Sequence, residues 1–239
     1  WNSIGTFAFM ANNQGITILL NMFFSTVVNA ARGIATTVSS QVSGFVMNFQ
    51  VAAGPQIYKL YAKGEYQQMN RLVCNTAKYS SYLLILIGLP VFIKTEILIR
   101  LWLGNIPEYV IPFIRITLIE LFFKAIDFPI GNGIHAFGKM KLPNITSSIA
   151  YISVLPLTYI FLRLGASPVI AYIIACVSYP LAMACDLWIL NKFSGFDIKF
   201  YLLHVPLKSI LIILLSAILP VFVSNSFEDG WLNLILTSA

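Results

Sequence analysis

Charge is what this sequence has least of. Only 10% of its 239 residues are Asp, Glu, Lys or Arg, and nine acids face 15 bases. Soluble domains carry about 25% charged residues, so a chain wholly covered by water-facing surface is excluded. Cysteine is scarce too. Cys74, Cys176 and Cys185 are odd in number and show no C-x-x-C spacing, and two fall inside an apolar run, which argues against a disulfide framework or zinc site. The two histidines, His135 and His204, stand alone and read as helix-end residues, not metal ligands. Gly131, Gly133 and Ala136 match the spacing of a dinucleotide fingerprint, but they close an apolar run with no strand before it, so that reading fails. G-x-S-x-G, P-loop and H-E-x-x-H patterns are absent, as is the basic, apolar, small-residue order of a cleaved signal peptide. The expectation is a protein that is not an enzyme and has no cofactor.

What the chain has in abundance is apolar length. Hydrophobic residues make up 58% of it and mean hydropathy is +0.82. Windows of about 20 residues, enough to cross roughly 30 Å of hydrocarbon, run over 4–24, 32–52, 79–99, 112–137, 142–162, 169–190 and 205–223, and another opens at Trp231. The expected fold is all-α, a polytopic transmembrane helix bundle: a six-helix lobe over 1–190, then further C-terminal helices over 191–239 with the last truncated. A start at Trp1 and an end inside an apolar run fit a fragment of a longer polypeptide.

The net charge of +6 does not point to nucleic acid, because the bases sit in short loops between apolar spans. Lys59, Lys63, Arg71, Lys78, Lys139, Lys141, Lys192, Lys199 and Lys208 fall on one side, against Arg32, Lys94, Arg100 and Arg163 on the other. Nine against four orients the basic loops to the cytoplasm. The stretch from Gly54 to Lys78 is the longest hydrophilic connection, with Ile57, Leu60 and Tyr61 at helical spacing. It reads as an amphipathic element on the membrane surface or a solvated connector.

Three spans are unusually polar. The first carries Asn13, Thr17, Asn21 and Ser25 every four residues, with Asn12 and Gln14 beside them, which fits a wet face or interhelical hydrogen bonding. In the second, Ala31, Ala35, Ser39 and Ser43 form a small-residue stripe expected to pack closely; Gln41 and Asn48 give a second polar face, and Arg32 sits at the outer mouth. The fourth, Pro112 to Lys139, holds Glu120, Lys124 and Asp127, which a helix projects from one face. Lys124 lies about 18 Å from either end, too deep to snorkel. It must face protein or water, either in a closed salt-bridge cluster with both acids or in a polar cavity. Asp186, near the inner end of the sixth span, is read as a partner of Lys192, as lining a wet mouth, or as a transport residue.

Two stretches carry a family likeness. LLNMFFSTVVNAARGIATTVSSQVSGFVMNFQVAAGPQIYKLYAKGE and KTEILIRLWLGNIPEY resemble the C-terminal half of bacterial polysaccharide-biosynthesis flippases, the O-antigen or capsule repeat-unit transporters of the multidrug, oligosaccharidyl-lipid and polysaccharide exporter superfamily. The likeness extends from about Asn2 to the final spans. It implies two six-helix lobes plus two helices in the cytoplasmic membrane, carrying undecaprenyl-diphosphate-linked oligosaccharide to the outer leaflet by alternating access. The implied partners are that lipid-linked substrate, membrane lipids, an N-terminal lobe, partner glycosyltransferases and a polysaccharide polymerase. On this reading Arg32, Arg115, Lys124, Asn13 and Asn21 bind substrate, and Glu120 and Asp127 hold Lys124 or take up a coupling proton or sodium ion. A drug or cation antiporter of the same superfamily would favour acids without a central lysine. A membrane-embedded glycosyltransferase would need a wet acid cluster on a loop.

Overall fold

A computed structural model describes residues 2–226, all of whose regular structure is helical: α1 Asn2–Phe23, α2 Thr26–Ala62, α3 Tyr66–Ile93, α4 Thr95–Leu103, α5 Val110–Ala136, α6 Lys141–Arg163, α7 Ile170–Ser194, α8 Ile198–His204 and α9 Pro206–Ser226. The all-α class follows directly. The span expected from Trp231 lies outside the described residues.

Four segments are long and apolar enough to cross a membrane: α3, α6, α7 and the stretch Ile198–Ser216 through α8 and α9. The chain is thus a multi-pass membrane protein by length and composition. Helices α1, α2 and α5, at 22, 37 and 27 residues, are long enough, but α1 and α2 are rich in Asn, Gln, Ser and Thr and α5 carries four charges. A bundle helix with polar residues must turn them inward. These three do.

Two sequence-based boundaries are corrected. The stretch 54–78 is not a separate element: α2 continues through Pro55 to Ala62, a turn spans 63–65, and α3 begins at Tyr66. At about 1.5 Å per residue α2 is about 55 Å long, so it projects well beyond the hydrocarbon. Pro55 is exposed, as is Val51, whose carbonyl its ring frees. The buried side chain of this extension, Ile57, joins a cluster with Met69, Val73, Ile130 and Ile134, and Tyr61 meets Phe137 edge-on at 4.7 Å. The third span is also shifted: α3 ends at Ile93, Lys94 breaks the helix, and α4 resumes at Thr95.

Packing divides the bundle. α1 lies along α6, α2 along α5 and α3, and α7 bridges α5 and α6, while α9 covers α3. α1 approaches α6 closely because Gly15 leaves room: a Cβ there would stand 2.6 Å from Leu155 Cδ2. α1 and α2 are joined through only Phe24 and Ser25, yet they contact each other little. They splay apart, and the wedge between them is floored by α5 and α7.

Candidate functional site

The wedge holds a cavity of about 220 Å³ continuous with a wider groove of about 780 Å³ through Ser39, Lys124, Asp127, Tyr151 and Tyr179, which line both. α1 contributes Asn12 and Asn13; α2 Arg32, Thr36 and Ser39; α5 Thr117, Glu120, Lys124 and Asp127; α6 Tyr151; α7 Tyr172, Ser178 and Tyr179. A polar pocket inside an apolar bundle costs desolvation unless its groups find partners or ligands.

The spacing of four and three residues places Glu120, Lys124 and Asp127 on the cavity wall together, as expected. Lys124 Nζ stands 2.6 Å from a Glu120 carboxylate oxygen and 5.4 Å from the centroid of the Tyr179 ring. The pair is partly accessible from the cavity, with side-chain exposures of 33% for lysine and 15% for glutamate. Asp127 does not join it, so the three charges do not form a closed cluster. Its Oδ1 is buried and accepts no hydrogen bond.

Arg32 occupies the other end. Its guanidinium donates to the Asn13 backbone carbonyl at 3.1 Å and the Asn13 Oδ1 at 3.4 Å, and lies 5.9 Å from the Tyr172 ring centroid. Tyr172 is itself fixed by stacking on Phe113 at 4.2 Å. Arg32 therefore ties α2 to both α1 and α7. On the lining of the same cavity, Asn12 Oδ1 is buried without a hydrogen-bond partner.

Other expectations are modified. Asn21 is absent from the walls of this cavity and groove; its side-chain oxygen accepts from Asn29 Nδ2, which also reaches the Thr17 carbonyl. The polar stripe of α1 thus serves chiefly to stitch α1 to α2 near their junction. Arg115 is likewise off these walls and turned toward α3, its guanidinium 5.7 Å from the Phe92 ring centroid. It sits five residues before Glu120, and on a helix that spacing points it well away from the Glu120 face. The small-residue stripe of α2 splits: Ala31 and Ala35 are buried, whereas Ser39 and Ser43 line the wedge. Their hydroxyls donate to carbonyls three residues back, so they offer the wedge acceptor lone pairs. Gln41 faces a separate apolar groove, and Asn48 is exposed.

Asn12, Tyr151, Tyr172 and Tyr179 were not singled out as site residues by sequence reasoning. Asn12 carried a signal as a polar residue in a span. The tyrosines carried none, because an aromatic in an apolar helix reads equally as core, lipid contact or cavity wall. Gln50 is a further missed contact, its amide donating to the Ala125 carbonyl at 2.7 Å and fixing α2 against the middle of α5. No family model, curated protein or solved structure matches the chain, so its classification stands as an all-α multi-pass membrane protein.

Proposed function

We propose that the chain forms one lobe of a flippase that carries undecaprenyl-diphosphate-linked oligosaccharide repeat units across the bacterial cytoplasmic membrane by alternating access. The observation that carries the reading is the pair of cations, Arg32 and Lys124, on the wall of a polar wedge inside an apolar bundle. A diphosphate cannot cross hydrocarbon unshielded, and two cations with hydroxyl and amide neighbours supply charge-assisted hydrogen bonds to it. Glu120 holds Lys124 while the cavity is empty and yields it to the incoming phosphate. Asn13 positions Arg32, and Asp127 is the ion-coupling carboxylate. Asn21 and Arg115 are assigned no substrate contact.

The open groove supports a second lobe facing α1 and α2, since a polar wedge of this size needs water or protein over it. A single lobe has nothing to alternate against. Lys124 speaks against the cation-antiporter reading, because a bound lysine competes with a cationic substrate. The basic ends of α2 and α3 are assigned to the cytoplasm, where the glycosyltransferases that build the repeat unit would work, with a polymerase acting on the other side.

The test is surface-polysaccharide export in a strain deleted for its own transporter. The intact two-lobe protein restores export and the 239-residue chain alone does not. Export supported by the chain alone would refute the two-lobe mechanism, and failure of the intact protein with any lipid-linked oligosaccharide would refute the substrate class.

A further inference from the structure

Three aromatic rings stand where the cavity opens into the groove. Phe9 of α1, Tyr151 of α6 and Tyr179 of α7 line both spaces. The Phe9 and Tyr151 ring centroids are 5.6 Å apart and those of Tyr151 and Tyr179 are 6.4 Å apart, both pairs edge-on. The row ends at a cation, since Lys124 Nζ lies 5.4 Å from the Tyr179 centroid. Rings that only filled the core would be hidden, yet Phe9 is 44% exposed and both tyrosines are half-buried. The diphosphate contacts assigned to Arg32 and Lys124 leave this row without a ligand.

Hydroxyls of α2 line the same two spaces. Thr36 and Ser39 border both, and Ser40 and Ser43 border the groove. Each hydroxyl donates to a carbonyl three or four residues back in its own helix, which leaves its lone pairs to accept from a ligand. Asn132 of α5 adds an amide that both donates and accepts. An occupant must therefore offer a patch of C–H bonds to the rings and hydroxyls to the rest. A hydrocarbon chain would leave the Lys124 ammonium and the α2 hydroxyls unsolvated. Neighbouring rings stand at 72° and 66° to each other, so no adjacent pair sandwiches a flat heterocycle. A pyranose has what is needed: axial C–H bonds on its faces, drawn to the negative face of an aromatic ring, and a rim of hydroxyls that donate and accept.

We infer that Phe9, Tyr151 and Tyr179 form a saccharide-binding platform, on which the sugar joined to the diphosphate lies with its C–H face against the rings and its hydroxyls toward Ser39, Ser43 and Asn132. The inference rests on the diphosphate reading of Lys124, because that cation sets which end of the row the first sugar occupies. A phosphate at Lys124 places that sugar over Tyr179 and Tyr151, and Phe9 extends the platform toward α1 for the sugar that follows. Each ring contact is expected to change affinity about two- to tenfold.

The test is lipid binding to the purified intact protein in detergent, measured by native mass spectrometry with three probes: undecaprenol, undecaprenyl diphosphate, and undecaprenyl diphosphate carrying one N-acetylglucosamine. Wild type should bind the sugar-bearing lipid more tightly than undecaprenyl diphosphate, and Y151L and Y179L should each bring the two affinities about two- to tenfold closer. Y151F and Y179F keep the ring and should keep the preference, which separates stacking from a merely structural role. K124A should weaken both diphosphate lipids. If one Leu variant fails to fold, the other and the wild-type preference still decide. Equal affinity of wild type for the two diphosphate lipids, or a preference that survives in both Leu variants, would overturn the platform. Undecaprenyl diphosphate binding no more tightly than undecaprenol would instead overturn the diphosphate reading beneath it.

Discussion

Substitution of Gly15 probes the wall of the wedge most sharply. Alanine normally helps a helix here, being about 1 kcal/mol better than glycine in a helix interior. At this position its Cβ would lie 2.6 and 2.8 Å from the Leu155 methyls and 3.3 Å from Leu155 Cγ. Overpacking costs about 1–3 kcal/mol, so the net change in G15A is a destabilisation of about 0–2 kcal/mol. In an L155A background the clash is gone and the propensity gain remains, so the same substitution should stabilise by about 1 kcal/mol. The coupling between the two sites is then about 1–3 kcal/mol, within the range for residues in contact. Thermal unfolding in detergent can be followed with a thiol-reactive fluorophore in a C176S background, because Cys176 is half-buried, Cys74 is buried, and the exposed Cys185 then supplies only a constant background. If G15A stabilises equally with and without Leu155, α1 does not lie on α6 in this register, and the wedge geometry falls with it.

Further substitutions test the other contacts. K124M leaves Glu120 without its partner and should destabilise more than the double variant E120Q/K124M; for a fully buried pair that loss is about 3–5 kcal/mol, and access from the cavity reduces it. Equal unfolding midpoints for the two variants would contradict the pairing. Q50L removes the bond from the Gln50 amide to the Ala125 carbonyl and should cost about 0.5–1.5 kcal/mol, read as a lowered midpoint in the same assay. Y201F should cost a similar amount by removing the buried bond to the Ile126 carbonyl; an unchanged midpoint would mean α8 is not docked on α5. R32A should loosen α1 from α2 around Asn13 while the Asn29 bonds to Thr17 and Asn21 remain, raising the reactivity of a cysteine introduced at Asn13, and unchanged labelling would refute the Arg32 clasp.

Helical periodicity made part of this site legible in the sequence. Glu120, Lys124 and Asp127 share a face because α-helical geometry requires it, and a lysine so far from either end has to face something polar. Arg32 announced itself as a charge next to a span. What stayed hidden depended on which helices meet. Nothing in the α1 stripe says that Asn21 turns to Asn29 while Asn12 turns to the cavity, because both are asparagines on a polar helix and only the splay of α1 from α2 separates them. Arg115, one or two turns from the outer end of the same helix, looked placed to receive substrate there, but its angular position sends it to Phe92. Ser39 and Ser43 continue the spacing of Ala31 and Ala35, yet α1 has diverged by that height and leaves them uncovered. The hydrophilic 54–78 stretch hid the length of α2, since proline, glycine and lysine together suggest a separate connecting element, whereas Ile57 and Tyr61 have apolar partners across the bundle that hold it in one helix with the span before it. Asp186 offered Lys192 as an obvious partner six residues on, but six residues lie on different faces of a helix.

The central claim is that the cation at mid-depth belongs to a transport path. It is tested most directly by replacing Lys124 with Ala and with Arg in the intact protein, matching membrane abundance, and scoring polysaccharide at the surface of cells lacking their own transporter. The account predicts that K124A abolishes export at normal abundance while K124R retains part of it. Normal export by K124A would contradict it.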